Sequence, residues 1–232
     1  MADLKELPLP FFHAGPAPKG SGPRAGALRD GLGLQTGMKV GLFGGSFNPA
    51  HDGHLHVAET AMKRLGLDRV VWMVSPQNPL KPSAEMASLD LRMASARQMA
   101  SKAGPNMLVS DFETRAQTQW TVDTLRVLKA RYPGVKFVWL MGSDNLASFH
   151  RWRGWTDIMR MMPMAVVARP GSLLDSLTAP AAARFASSRV PAGQSGLLAS
   201  LKAPSWTYLT APLNPRSSTA IRSNGGGLVG KG

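Results

Sequence analysis

From Met38 onward the chain alternates short β-branched or apolar runs with amphipathic stretches, and that alternation leaves few architectures open. The strand candidates are MKVGLF (38–43), RVVWMV (69–74), MLVS (107–110), KFVWLM (136–141), MAVVA (164–168) and TYLT (207–210). Helix candidates fall between them at 53–65, 88–103, 121–131, 155–162 and 173–187. Strands that read as almost continuous apolar runs are buried on both faces, which happens when helices cover both sides of a parallel sheet. The expected fold class is therefore α/β, a Rossmann-like doubly wound parallel sheet. Such sheets bind ligands beyond the carboxyl ends of their strands, so chemistry is expected in the loops that follow strands.

The flanks differ from this body. Residues 1–37 are rich in Gly, Pro and Ala, include GPAPKGSGPRAG, and show little periodicity; they read as a disordered leader. Residues 38–223 read as one domain, and 224–232 as a flexible Gly-rich tail. With 44% hydrophobic residues in 232, the chain can bury a sizeable core. It has no cysteine, which excludes disulfides and thiolate metal sites. No apolar run approaches the roughly 20 residues of a membrane helix. The N-terminus, MADLKELPLPFFHAG, has acidic residues near its start and no long apolar core, so it does not read as a secretory signal. These features together point to a cytoplasmic protein. Of the net charge of +13, all but one unit lies beyond residue 37. That excess favours anionic partners, whether nucleotides, nucleic acid or lipid headgroups, without choosing among them.

The first expected loop, GGSFNPAHDGH, follows the first strand and carries two of the five histidines. Gly44 and Gly45 would let backbone approach a ligand closely, and the helix expected to begin near Asp52 or Gly53 would present free N–H groups to an anion. His51 and His54, three residues apart, could then face one phosphate and stabilise charge growing on a leaving group. His56 falls on another side. A plain glycine turn with capping histidines accounts for each feature taken singly but not for their conjunction. A metal site from His51, His54 and Glu59 is disfavoured because no matching His, Cys or Asp cluster completes it.

GGSFNPAHDGH resembles the GGxFxPxHxGH loop of the nucleotidyltransferase superfamily, whose members transfer an adenylyl or cytidylyl group from a nucleoside triphosphate. Asn48 stands where those families often have aspartate, so position 48 is given no catalytic role. The superfamily's second motif, close to SSTxIR, is matched by Ser217-Ser218-Thr219-Ala220-Ile221-Arg222 near the C-terminus. Hydroxyls, amides and a guanidinium one turn later suit the β- and γ-phosphates of a triphosphate. Two glycine patterns are decoys. GGGLVGK (225–231) lacks the Ser or Thr and the helix of a Walker A loop, and GLGLQTG (31–37) has no strand before it. A KMSKS element, as in class I aminoacyl-tRNA synthetases, is missing.

The middle of the chain resembles the bacterial nicotinate-nucleotide adenylyltransferase family. SPQNPLKP (75–82) matches a Pro-rich segment ending in a lysine, Lys81. TQWTVDTL (118–125), GSDNLASFHRW (142–152) and VARPG (167–171) match three further elements in order. The resemblance implies adenylyl transfer from ATP to nicotinate mononucleotide in NAD biosynthesis, with magnesium accompanying the triphosphate. It implies that Gly44, Gly45, Ser46, Phe47, His54, Ser217, Ser218, Thr219 and Arg222 contact ATP, with His51, His54 and Arg222 catalytic. Lys81, Trp120, Thr121, Asp144, Trp152 and Arg153 would serve the mononucleotide. Stacking of the flat pyridinium ring is assigned to Trp152 or Trp120, and the carboxylate to N–H groups near Thr121 and Arg153. Asp144 would take ribose hydroxyls or help hold magnesium. Trp139, inside a strand, reads as core. No membrane and no nucleic-acid partner is expected. The same chemistry on nicotinamide mononucleotide or phosphopantetheine is the nearest alternative, and a basic nucleic-acid-binding protein is the alternative from another class.

Overall fold

The computed structural model describes residues 32–76, 86–169 and 176–210. In these segments the elements run β1 (Lys39–Gly45), α1 (Asp52–Leu65), β2 (Arg69–Val74), α2 (Leu89–Ala100), β3 (Met107–Ser110), α3 (Phe112–Arg115), α4 (Thr121–Arg131), β4 (Lys136–Gly142), α5 (Ser143–Ser148), α6 (Trp155–Met161), β5 (Met164–Val167), α7 (Pro180–Arg184), β6 (Arg189–Val190) and β7 (Trp206–Leu209). Short 3-10 turns cover 101–103, 149–151, 186–188 and 192–200. The seven strands form one sheet in the order β3-β2-β1-β4-β5-β7-β6, and every pairing is parallel. This is the doubly wound arrangement expected from the alternation of strands and helices.

Period-two alternation divides the core between the two faces. Leu42, Met73, Trp139 and Met141 point to one face, where they meet Leu125 and Leu128 of α4 and Ile158 of α6. Phe43, Trp72, Val138 and Leu140 point to the other, against Val57, Ala61 and Leu65 of α1 and Ala96 of α2. Trp139 is core, as its place inside a strand suggests. α1 ends at Gly66, whose left-handed φ of 60° closes the helix before β2.

Two boundaries differ from the sequence reading. Residues 32–37, expected in the leader, are packed: Leu32 and Leu34 are buried in the α4-side core. The Arg69 guanidinium donates to the Leu32 carbonyl at 2.8 Å, and Gly37 N–H donates to Gly134 O. The described part of the expected helix 173–187 is interrupted: positions 176 and 177 are helical, 178 and 179 are not, and Pro180 opens α7, which ends at Arg184. The stretch after Val190 forms a 3-10 segment that buries Leu198 and Ala199. Residues 1–31 and the tail 224–232 lie outside the described residues.

Candidate active site

β1 neighbours β2 and β4, so strand order reverses direction between β1 and β4, and their carboxyl ends flank the crevice where such sheets bind ligands. The chain leaves β1 at Gly45, passes an Asn48–Pro49 cis peptide bond and enters α1 with His51 as the N-cap residue in extended conformation. The His51 ring accepts a hydrogen bond at Nδ1 from Gly53 N–H at 3.1 Å. The His54 ring accepts one at Nδ1 from His51 N–H at 3.3 Å. Two imidazoles therefore perform the reciprocal capping that Ser and Glu usually share. With each Nδ1 acting as acceptor, the proton of each neutral ring sits on Nε2. The ring centroids are 3.9 Å apart, at the positive end of a 14-residue helix. Two N–H donors held together there suit a phosphate.

His54 packs edge-on to Phe47 at 4.9 Å, and Phe47 stacks on Trp72 at 5.1 Å. Phe47 itself is buried, so only its backbone is left to face a ligand. Its φ of 46° places it in the left-handed region. The glycines answer first to packing: a Cβ on Gly44 would lie 2.5 Å from the Trp139 ring, and one on Gly45 would lie 3.0 Å from Phe47. Gly44→Ala is therefore expected to destabilise the protein by about 1–3 kcal/mol through overpacking, read as a lower urea midpoint.

At the end of β4, Ser143 Oγ accepts from Arg169 N–H at 2.7 Å. The Asp144 carboxylate pairs with the Arg169 guanidinium at 3.2 Å, and Arg169 also donates to the Gly53 carbonyl at 3.4 Å. A Cβ on Gly142 would crowd the Asp144 and Arg169 side chains. The ends of β4 and β5 and the first turn of α1 thus meet through one arginine.

The acceptor-side candidates also converge. Thr121 is the first residue of α4, and Trp120 is its N-cap without a side-chain cap. The Arg153 guanidinium lies over the Trp120 ring, 5.4 Å from its centroid. Trp152 is half-buried, edge-on to Phe149 at 5.4 Å and to Trp139 at 6.4 Å. Since Trp139 also abuts Gly44, packed side chains connect this region to the first loop. Lys81, Ser217, Ser218, Thr219 and Arg222 lie outside the described residues, as do Pro170 and Gly171 of the VARPG element. Among the described residues, no three His, Cys, Asp or Glu side chains gather as a metal cage.

Three residues escaped the sequence reading. Arg169 lay inside a matched element but was given no role. Arg92 is 1% exposed, and its signal was available: it shares a helical stripe with Ala96 and Ala100, where an arginine is out of place unless something holds it. Glu113 is buried in α3, a four-residue helix too short to show a period.

Comparisons with known proteins give the chain its relatives. A family model described as cytidylyltransferase-like matches residues 42–224, which include both the first loop and Ser217–Arg222. A protein of Caulobacter sp. (strain K31) named "Probable nicotinate-nucleotide adenylyltransferase" is 63% identical over 185 residues, covering 80% of this chain and 97% of the relative. The chain belongs to the nicotinate-nucleotide adenylyltransferase family. A Roseobacter denitrificans protein with the same name is 50% identical over 192 residues, covering 83% of this chain and 95% of its own length. Among solved structures, Plasmodium falciparum nicotinic acid mononucleotide adenylyltransferase complexed with NaAD superposes with a TM-score of 0.62. That match covers 80% of this chain and 83% of the other at 14% identity, and it supports the fold. The adenylyltransferase family thus accounts for the order of the sequence elements.

Proposed function

We propose that this protein transfers the adenylyl group of ATP to nicotinate mononucleotide, giving deamido-NAD and pyrophosphate. The observation that carries the proposal is the His51–His54 pair, both rings locked through Nδ1 at the start of α1 beside the switch point. A phosphate oxygen of the mononucleotide attacks the α-phosphorus of ATP in line. The bond to the α,β-bridging oxygen breaks, and its electron pair leaves with pyrophosphate. The attacking phosphate is already ionised, so no side-chain base is needed. Catalysis is then alignment and charge stabilisation. The two Nε2–H donors serve the α-phosphate, the backbone of Gly44–Phe47 lies on the adenosine side, and Ser217, Ser218, Thr219 and Arg222 take the departing phosphates. Magnesium would accompany the triphosphate and screen its charge. Asp144, paired with Arg169, would take the ribose hydroxyls or help hold magnesium.

On the acceptor side, Trp120, Trp152 and the start of α4 would hold the pyridinium and its carboxylate, and Lys81 the mononucleotide phosphate. Arg153, stacked on Trp120, would favour the acid over the neutral amide. Arg153→Ala is expected to lower the acid-to-amide ratio of kcat/KM by about tenfold, the worth of one charged hydrogen bond. An unchanged ratio removes Arg153 from selectivity. The functional proposal is tested with ATP and three acceptors in parallel: nicotinate mononucleotide, nicotinamide mononucleotide and phosphopantetheine. Pyrophosphate release is expected to be fastest with the first. A preference for either of the others reassigns the substrate, and salt-sensitive binding to DNA with no transfer favours a nucleic-acid-binding protein.

A further inference from the structure

The loop between β1 and α1 is held by tethers from α2 and the residues just before it. Arg92 donates from Nη1 to the Ser46 carbonyl at 3.0 Å and to the Ser75 carbonyl at 2.6 Å. It also donates from Nη2 to Pro76 O at 2.8 Å and from Nε to Ala87 O at 2.9 Å. Ala87 N–H donates to Asn48 Oδ1 at 3.2 Å, and Ala50 N–H donates to Ser95 Oγ at 3.0 Å. Residues 46, 48 and 50 are thus each tied from outside the loop. This also explains Asn48: a buried side chain whose oxygen accepts from backbone there.

Arg92 is the costly member. Among the described residues, its hydrogen-bond partners are all carbonyl oxygens, and no carboxylate pairs with it. Burial lowers its pKa below the usual guanidinium value. Packing alone would be served by an aliphatic side chain at this place on α2. In a planar trans peptide, C=O and N–H point in opposite directions, so drawing the Ser46 carbonyl toward Arg92 turns the Phe47 N–H the other way. The cation behind the loop and the outward N–H raise the potential on the side away from Arg92.

We infer that Arg92 is a positioning residue, whose buried guanidinium fixes the Ser46–Phe47 peptide and sets a positive charge behind the loop, preorganising it for the phosphates of a nucleoside triphosphate. The inference rests on assigning this loop to ATP. Arg92 touches no substrate; it acts through the loop it holds.

The test compares Arg92→Lys and Arg92→Met with wild type in ATP affinity by calorimetry, in steady-state kinetics and in thermal midpoint. Lysine keeps the charge but cannot reach four carbonyls on three separate segments with one ammonium. In Arg92→Lys, kcat/KM for ATP is expected to fall about tenfold, and in Arg92→Met about thirtyfold, with KM for nicotinate mononucleotide within about twofold. ATP affinity is expected to weaken in the same order. Kinetic constants and ATP affinity equal to wild type in the folded variants, with only a lower midpoint, overturn the inference. Should Arg92→Met not fold, Arg92→Lys alone decides. Wild-type protein that binds ATP but transfers nothing to nicotinate mononucleotide defeats the functional reading, while ATP affinity of the variants still decides Arg92. Wild-type protein that does not bind ATP overturns both.

Discussion

His54→Ala is expected to lower kcat by about a hundredfold to a thousandfold while the protein stays folded, the usual cost of removing one donor aimed at developing charge. The His54 ring accepts from His51 N–H through Nδ1, so its Nε2–H is the donor lost. Alanine also removes one half of the capping pair, which costs helix stability on the order of 1 kcal/mol. That is too little to unfold a domain with a core on both faces of the sheet. Circular dichroism and the urea midpoint separate the two effects: near-native spectra with collapsed turnover are expected. His54→Asn restores an acceptor at the cap but not the Nε2–H geometry, and is expected to recover stability more than activity. Near-wild-type turnover in His54→Ala removes His54 from the chemistry.

The second large effect concerns pH. Glu113 is 6% exposed, and burial pushes its carboxyl pKa up to about 7. In the unfolded chain it titrates near the ordinary carboxyl value of 4.5. Between those values the folded protein holds a proton that the unfolded chain has lost, so stability falls as pH rises through this window and levels off above about 7. A raised carboxyl therefore contributes most at low pH, the reverse of a salt-bridged one. A shift of this size corresponds to about 3 kcal/mol as an upper bound. Glu113→Gln keeps the shape without the charge. It is expected to match wild type near pH 4.5 and to exceed it at pH 8, measured as unfolding free energy in urea at both values. Equal pH dependence of the two proteins contradicts a buried, protonated Glu113.

The parallel core of the sheet was legible because buried strands carry apolar residues on both faces; Arg69–Val74 and Met107–Ser110 fall where their runs of Val, Met and Leu placed them. The start of α1 was legible from Pro-Ala-His-Asp-Gly, a turn running into a helix, although histidine in the capping role is not something a pattern of Ser, Thr, Asp and Asn foretells. What stayed hidden has physical reasons. β6 has two residues and no period, and its place outside β7 is set by pairing. α5 follows β4 without a loop, and its six mostly polar residues, Ser143–Ser148, are too few to show a helical period. Leu32 and Leu34 sit among glycines in a polar stretch and are recruited by Arg69 and the α4-side core, contacts far away in sequence. The tethers from Arg92, Ala87 and Ser95 to the first loop span 39 to 46 positions, a distance no local pattern reports.

Which phosphate moves, and to what acceptor, defines the reaction. The most direct measurement uses ATP radiolabelled at the α-phosphate, incubated with the purified protein and nicotinate mononucleotide, with the products separated by chromatography. Label is expected to pass entirely into deamido-NAD, leaving unlabelled pyrophosphate, with no transfer when the label is at the γ-phosphate. Label remaining in ATP or AMP, or a γ-phosphate passing to the mononucleotide, contradicts adenylyl transfer by this site.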